Sequence, residues 1–283
     1  MMYWVYDISN FEFGIIAVVT FVIFGVLGLI LTRMLFGRSG RHVIAENDIV
    51  AAYFGAIVGF YGITLGLISV GVWQTFSDAD NKSALEAASI ESLFRDFTAY
   101  PQPPRSGLQA RLIDYTENVV HVAWPMQRAG KTPKGGTEKM NAIQELLYPF
   151  EPQTQGQAAL HREALSQFNI LSERRRLRVL SATSGLPATI WWVVIMGAAA
   201  SIALTWLFNV ESLRRHELLT GLYSALIGLL IFLIAALDNP YRGEFSVGPD
   251  SFQLVLDRMH KIAGSQATPA EYTTQPPAAE PPK

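Results

Sequence analysis

Four arginines are the side chains in this sequence best suited to chemistry, and they lie about ten residues before an apolar segment. Guanidinium groups bind phosphate, so the cluster suits lipid headgroups at a membrane surface, or it pairs with nearby carboxylates. The same charges would also attract a permeating anion. The sequence leaves these interpretations open. The cluster comprises Arg174, Arg175, Arg176 and Arg178.

A second set of polar side chains follows the last apolar segment and contains Asp238, Pro240 and Arg242. Pro240 cannot continue a helix, and the residue before a proline favours an extended conformation. Asp238 can accept hydrogen bonds from a turn, and Arg242 can reach a lipid phosphate or a carboxylate. These residues predict a turn that ends a helix, and a ligand or gating site is the alternative.

Patterns for catalysis, cofactors and metals are missing from the sequence. There are no cysteines, the five histidines are scattered without an HExxH pattern, and no GxSxG or phosphate-binding glycine loop occurs. The net charge of −2 gives no basic field for nucleic acid. We therefore expect no catalytic, cofactor-binding or metal-binding residues, no cofactor, no enzyme activity and no nucleic-acid partner.

Four uncharged apolar segments must position these side chains, at residues 13–32, 49–76, 188–210 and 218–237. About twenty helical residues cross the hydrocarbon core of a bilayer, and lipid requires backbone groups to be satisfied within the segment. Charged residues make up 16% of the chain, against about a quarter in soluble domains. The sequence predicts an all-α integral membrane protein, with the first segment retained as a helix because no Lys or Arg precedes it.

The order of these segments predicts two membrane hairpins with a polar helical domain between the second and third helices. The expected divisions are a first hairpin at 1–76, a helical polar domain at 77–187 and a second hairpin at 188–237. A post-membrane segment at 238–263 and a disordered proline-rich tail at 264–283 complete the chain.

Several helices are expected within the polar region. Ser83 followed by Glu86 fits a capping box that begins a helix. A second helix is expected over 106–121, and Trp124 followed by proline should end it. Further helices are expected over 137–147 and from about residue 157 to 184.

Small residues form a stripe on the second membrane helix, at offsets that share one face at about 100° per residue. The stripe contains Gly55, Gly59, Gly62 and Gly66. Small side chains let helix backbones approach closely, which predicts helix packing. The opposite face carries Ile57, Phe60, Thr64 and Ile68. An apolar ring of this kind, repeated by symmetry, could line and gate a pore.

Several motifs together resemble the bacterial bestrophin-like membrane domain family. They are the arginine-rich run at 173–178, the Gly-Leu-Pro entry at 185–187, the exit at 237–243 and Trp124 with its proline. The resemblance covers about residues 49–258, and Tyr241 stands where the family pattern has phenylalanine. It implies two membrane hairpins around a cytoplasmic helical region and, by analogy with bestrophins, a pentameric anion channel lined by the second helix.

These observations predict an oligomeric bestrophin-like channel for anions or small solutes, embedded in the lipid bilayer of a bacterial cell membrane. A homo-oligomer, for which the resemblance suggests a pentamer, would enclose the pore. The alternative is a non-conducting scaffold whose polar helices bind an unknown protein partner. A membrane enzyme is the third and weakest interpretation. Lys and Arg counts on the two sides leave the orientation in the membrane open.

Overall fold

The structure is a computed structural model, and it describes residues 3–44, 47–182 and 185–267. Every regular element in these ranges is helical. A short 3₁₀ helix, Tyr3–Tyr6, precedes the α-helices, which are α1 (Asn10–Ile44), α2 (Asn47–Thr98), α3 (Pro104–Asn118), α4 (Trp124–Arg128), α5 (Gly136–Leu147), α6 (Gln155–Ser181), α7 (Ala188–Thr205), α8 (Leu213–Asp238) and α9 (Asp250–Ala267).

Four helices are long and apolar enough to cross a membrane: Asn10–Leu35 of α1, the helix α2, the helix α7, and Leu213–Leu237 of α8. They contain the four predicted segments, except that α7 ends at Thr205 and leaves residues 206–210 outside it. The all-α fold is therefore confirmed for the described residues, with four candidate membrane helices.

Glycine-mediated packing holds α1 against α8, which is the main partner of α1 in the described part of the chain. A Cβ atom built on Gly228 would lie 2.9 Å from the Cα of Val18, so only glycine permits this backbone approach. The Trp206 indole, which follows α7, also contacts α1 and donates to the Gly25 carbonyl over 2.9 Å. The first helix thus packs mainly on the last membrane helix rather than on its neighbour in sequence.

The second helix does not end at the membrane boundary. It runs for 52 residues, which is about 78 Å at 1.5 Å per residue. The predicted capping box at Ser83 is wrong, because the Ser83 hydroxyl donates to the Ala79 carbonyl within the same helix over 3.0 Å. The predicted boundary at residue 76 lies inside this continuous helix.

The polar region is built around the second half of α2, against which α3, α6 and α9 pack. Trp124 and its proline do not end a helix as predicted. A π-helical turn, Val119–Ala123, leads directly into α4, and the proline lies in the first turn of α4, the part of a helix that best tolerates proline. The expected helix at 137–147 is confirmed as α5.

The helix α9 is an element that the sequence interpretation missed. Its buried side chains Phe252, Val255 and Met259 recur at helical spacing and join the core of the polar region. The helix includes residues 264–267 of the predicted tail. The rest of that tail lies outside the described residues.

Candidate functional site

One side of α2 is covered by the chain and the other is open. Tyr61, Leu65 and Val72 are buried against α7 and α8, and the Tyr61 hydroxyl donates to the Val194 carbonyl over 2.7 Å. The open side, called here the free face of α2, carries large apolar side chains in its membrane half. They are Phe60, Ile63, Leu67 and Val70, which are 76%, 64%, 69% and 54% exposed.

The predicted pore residues only partly coincide with this free face. Ile57 and Phe60 are exposed, whereas Thr64 and Ile68 are half-buried, and Ile68 packs against the core of the membrane helices. The free face thus lies on a side of α2 that is rotated about the helix axis from the pore face predicted from the sequence. Ile63, Leu67 and Val70 were missed, because α2 is apolar on all sides and its pattern does not reveal which side meets α7 and α8.

The glycine stripe of α2 borders the free face and is also open. A Cβ built on Gly55, Gly59, Gly62 or Gly66 would meet no atom within 4 Å. Among the residues that the structure describes, no other part of the chain therefore packs against these glycines. The helix packing expected at them stays a prediction for contacts between copies.

Below the membrane span the free face becomes polar and remains uncovered. Gln74, Ser77, Asp78 and Asn81 are exposed, and Asp78 pairs with Lys82 at 3.3 Å. Ala88 and Ser92 continue the exposed side further along the same helix. One helix therefore presents an apolar surface at membrane depth and a small polar surface beyond it.

The arginine cluster on α6 is divided among different environments. Arg174 donates to the Leu85 carbonyl of α2 over 2.7 Å, and Arg175 donates to the Thr137 hydroxyl over 3.1 Å. Arg176 is exposed. The cluster is not a uniform collar of free cations, because Arg174 and Arg175 are half-buried, Arg178 is buried and Arg176 alone of the four is exposed.

Arg178 is the clearest correction to the sequence interpretation. Its guanidinium is 2% exposed and binds the Glu86 carboxylate at 2.6 Å, so it cannot serve as a ligand for lipid headgroups or passing anions. It also donates to Gln127 over 2.9 Å and lies over the Trp124 ring at 5.3 Å. Of the interpretations offered for the cluster, pairing with a nearby carboxylate is the one that applies to Arg178.

The Glu86 carboxylate is the centre of this buried network. The Tyr115 hydroxyl donates to it over 2.6 Å. Burial raises the pKa of Tyr115 well above 10.0, and the Glu86 charge raises it further, so the hydroxyl keeps the proton that it donates. Burial alone would lower the pKa of Arg178, but the Glu86 charge opposes this and leaves that pKa raised. The network fixes α2, α3, α4 and α6 to one another.

The predicted turn after the last membrane helix connects several elements. The helix α8 ends at Asp238. The Asp238 carboxylate accepts hydrogen bonds from the Leu186 backbone N–H at 2.5 Å and from the Trp191 indole at 3.2 Å. Burial raises the pKa of Asp238, and these two hydrogen bonds partly oppose the rise. Asp238 thereby joins the end of α8 to the beginning of α7.

Pro240 and Arg242 contribute to the same turn in different ways. The Pro240 carbonyl accepts a hydrogen bond from the Val247 N–H over 2.7 Å. The Arg242 guanidinium lies 3.9 Å from the Asp7 carboxylate and 5.6 Å from the centre of the Tyr6 ring. Arg242 thus meets a carboxylate, one of the two partners expected for it.

Among the residues that the structure describes, no group of three or more histidine or acidic side chains is placed to hold a metal ion.

Comparison with known proteins places this architecture in a family. The model of the Bestrophin-like domain matches residues 19–252. A bacterial bestrophin homologue from Klebsiella pneumoniae, carrying a leucine-to-threonine substitution, has a similar structure with a TM-score of 0.67 and 11% identity, over 87% of this chain and 99% of that one. A membrane protein with a proline-to-alanine substitution gives a TM-score of 0.65 and 12% identity, over 87% and 98%.

At these identities the two structures support the fold, and the match to the family model covers most of the sequence. No curated protein matches the chain. The chain is an integral membrane protein that belongs to the bestrophin-like family.

Proposed function

We propose that the chain is one subunit of an oligomeric membrane channel for anions or other small solutes, with α2 lining the pore. The observation that carries the proposal is the free face of α2, which stays uncovered from membrane depth into the polar region. Lipid can cover an apolar helix face within the bilayer, but it cannot cover the exposed polar side at Gln74, Asn81 and Ser92. A water-filled pore accounts for both halves of the face.

The chemistry of the free face suits a pore with a narrow apolar part. Phe60, Ile63 and Leu67 would form an apolar constriction, which can gate by expelling water. The small polar side chains below it would border a wetter passage. The half-buried Thr64 and Ile68 would support the constriction from behind rather than line it, while Ile57 lies at its edge.

A single helix face cannot enclose a pore, so the proposal requires several copies around an axis. Soluble and membrane homo-oligomers commonly close by cyclic symmetry. The open glycines at 55, 59, 62 and 66 border the free face, where they would let α2 helices of adjacent copies approach closely. We propose a pentamer, following the family resemblance, with two membrane hairpins around an inserted polar domain.

The location follows from the same proposal. We place the protein in a bacterial cell membrane with the polar helical region in the cytoplasm. The proposed function is not enzymatic and requires no cofactor and no protein partner other than further copies of the chain.

Arg176 is the residue of the arginine cluster that remains suited to attracting anions, because its side chain is exposed. We expect Arg176→Glu to lower the ratio of chloride to potassium permeation, because it replaces a positive charge with a negative one. The measurement is the reversal potential across a bilayer with unequal salt. An unchanged ratio would remove Arg176 from the proposal.

The proposed function is tested by solute flux from liposomes that contain the purified protein. Phe60→Ala and Leu67→Ala should change the flux of chloride or potassium, because both enlarge the constriction. Leu226→Ala is the matched control, since Leu226 is 54% exposed on α8 and is not part of the free face of α2. Its flux should equal that of the unchanged protein.

The alternative of a non-conducting scaffold predicts another result. Flux no greater than that of empty liposomes, over a range of pH and calcium concentration and with a monomeric mass, would favour the scaffold. Equal effects of all three alanine variants would also contradict a pore along α2.

A further inference from the structure

The membrane half of α2 carries no charge, and Asp78 is the first charged side chain beyond it. Residues 49–77 contain no Asp, Glu, Lys or Arg. Asp78 follows Val70, the last of the large apolar side chains named for the free face, by eight residues, which is about 12 Å along a helix. A solute that leaves the apolar half of the free face therefore meets the Asp78 carboxylate before any other charge of α2.

Asp78 points to the free face rather than to the core. It lies one turn after Gln74 and one turn before Asn81, which are both exposed on that face, and helical residues three or four positions apart share a side. The Asp78 side chain is 68% exposed. The nearby acid Asp80 is also exposed, but two helical steps place it about 160° around the helix from Asp78. These two acids thus occupy different sides of α2.

The next two glutamates along α2 are engaged by arginines. Glu86 is buried in the ion pair with Arg178. Glu91 binds Arg95 at 2.7 Å and Arg258 at 3.0 Å. Cations therefore neutralise both carboxylates, and neither adds a net negative charge to the free face.

Lys82 is the partner of Asp78 on the same helix, with its Nζ atom 3.3 Å from the carboxylate. The Lys82 side chain is 34% exposed, against 68% for Asp78, so the carboxylate is the more accessible member of the pair. Exposed ion pairs between residues i and i+4 are weak, because water screens both charges. The carboxylate therefore sets the sign of the local potential at the free face, and the ammonium group reduces its strength.

We propose that Asp78 determines the charge selectivity of passage along the free face, favouring cations over anions where the apolar half ends, and that Lys82 limits this effect. The proposal rests on the proposed channel function and names cations among its small solutes. Carboxylates from several copies would form a ring that attracts cations and repels anions. The separation of about 12 Å from the apolar half is close to the Debye length of about 10 Å at 0.1 M salt. The ring therefore acts on an ion that leaves the constriction.

The ratio of chloride to potassium permeability tests the proposal, measured from the reversal potential across a bilayer with unequal salt. We expect Asp78→Asn to raise the ratio about threefold, because it removes the negative charge and preserves the shape of the side chain. Lys82→Gln should lower the ratio, because it leaves the Asp78 charge unopposed. Asp80→Asn is the matched control, an exposed acid on another side of the same helix, and should leave the ratio unchanged.

The rate of thiol modification at residue 74 measures the same electrostatic field without requiring flux. The chain has no cysteine, so Gln74→Cys carries a single thiol, one turn from Asp78 on the free face. A cationic thiol reagent should modify it faster than an anionic reagent of the same size. Adding Asp78→Asn should reduce this ratio of rates about threefold, whereas adding Asp80→Asn should not change it.

An unchanged permeability ratio in Asp78→Asn, in a protein that conducts, would overturn the proposal and leave the channel function standing. Equal effects of Asp78→Asn and Asp80→Asn would also overturn it, because selectivity would then follow net charge rather than the free face. Equal rates of the two reagents with Gln74→Cys would overturn it whatever the flux. Absence of flux in every variant would refute the channel function itself, so the two failures are distinguishable.

Discussion

The buried ion pair between Glu86 and Arg178 makes a quantitative prediction about the stability of the polar region. The two side chains are 0% and 2% exposed and lie 2.6 Å apart. Glu86→Gln leaves the Arg178 cation buried among neutral groups. Removing one partner of a buried ion pair costs about 3–5 kcal/mol, because the remaining charge is neither solvated nor neutralised.

The same helix offers a matched control. Glu91 pairs with Arg95 at 2.7 Å and with Arg258 at 3.0 Å, and the two arginines are 70% and 50% exposed. Water screens such pairs, so Glu91→Gln should cost about 0–1 kcal/mol. Both substitutions replace the same acid with the same amide on α2, and they differ in burial.

The assay is chemical unfolding of the purified protein in detergent, followed by circular dichroism. We expect the free energy of unfolding to fall several times more for Glu86→Gln than for Glu91→Gln. The double variant Glu86→Leu, Arg178→Met should be more stable than Glu86→Gln, since no buried charge remains. Equal losses at Glu86 and Glu91 would refute the reasoning.

Two further predictions concern packing and pH. Gly228→Ala should destabilise the protein by about 1–3 kcal/mol, because its Cβ would lie 2.9 Å from Val18 Cα; Gly156→Ala on α6, where a Cβ would lie 3.9 Å from Thr154 Oγ1 in ordinary contact, should not lower the unfolding midpoint, and similar losses for the two would contradict the packing described. Burial lowers the pKa of His161 below 6.5, so the unfolded state binds more protons just below that pH and stability should fall as the pH drops through this window. His161→Gln should remove that part of the pH dependence of the thermal midpoint, and an unchanged pH profile would argue against it.

The membrane helices could be predicted from the sequence because their cause is local. An uncharged apolar run of about twenty residues has few alternatives to a membrane helix. The helix α5 could be predicted for a similar reason, since its buried residues Met140, Ile143 and Leu147 recur at helical spacing.

The course of α2 could not be predicted because distant residues decide it. Ser83 and Glu86 satisfy the local rule for a helix start, yet Glu86 is bound by Arg178, which lies 92 positions later in the chain. Tyr241 holds Ser83 from a still greater separation. Tertiary partners thus turn an apparent cap into the interior of a long helix.

The sequence also does not predict which side of α2 forms the free face. Glycines suggest close packing wherever they occur in membrane helices. Within the described part of the chain, Gly228 and Gly197 meet neighbouring residues, whereas Gly55 and Gly59 meet none. Which stripe is used inside one chain depends on the arrangement of α1, α7 and α8. The residues of α2 alone do not indicate that arrangement.

Substituted-cysteine accessibility tests the central claim, that the free face of α2 meets water inside the membrane. The chain has no cysteine, so Ile63→Cys, Leu67→Cys and the control Leu226→Cys each carry a single thiol. The account predicts that a charged, membrane-impermeant thiol reagent modifies the first two in liposomes and changes their flux, while Leu226→Cys stays unmodified. Protection of Ile63→Cys and Leu67→Cys from the reagent, with labelling only by a lipid-soluble one, would contradict it.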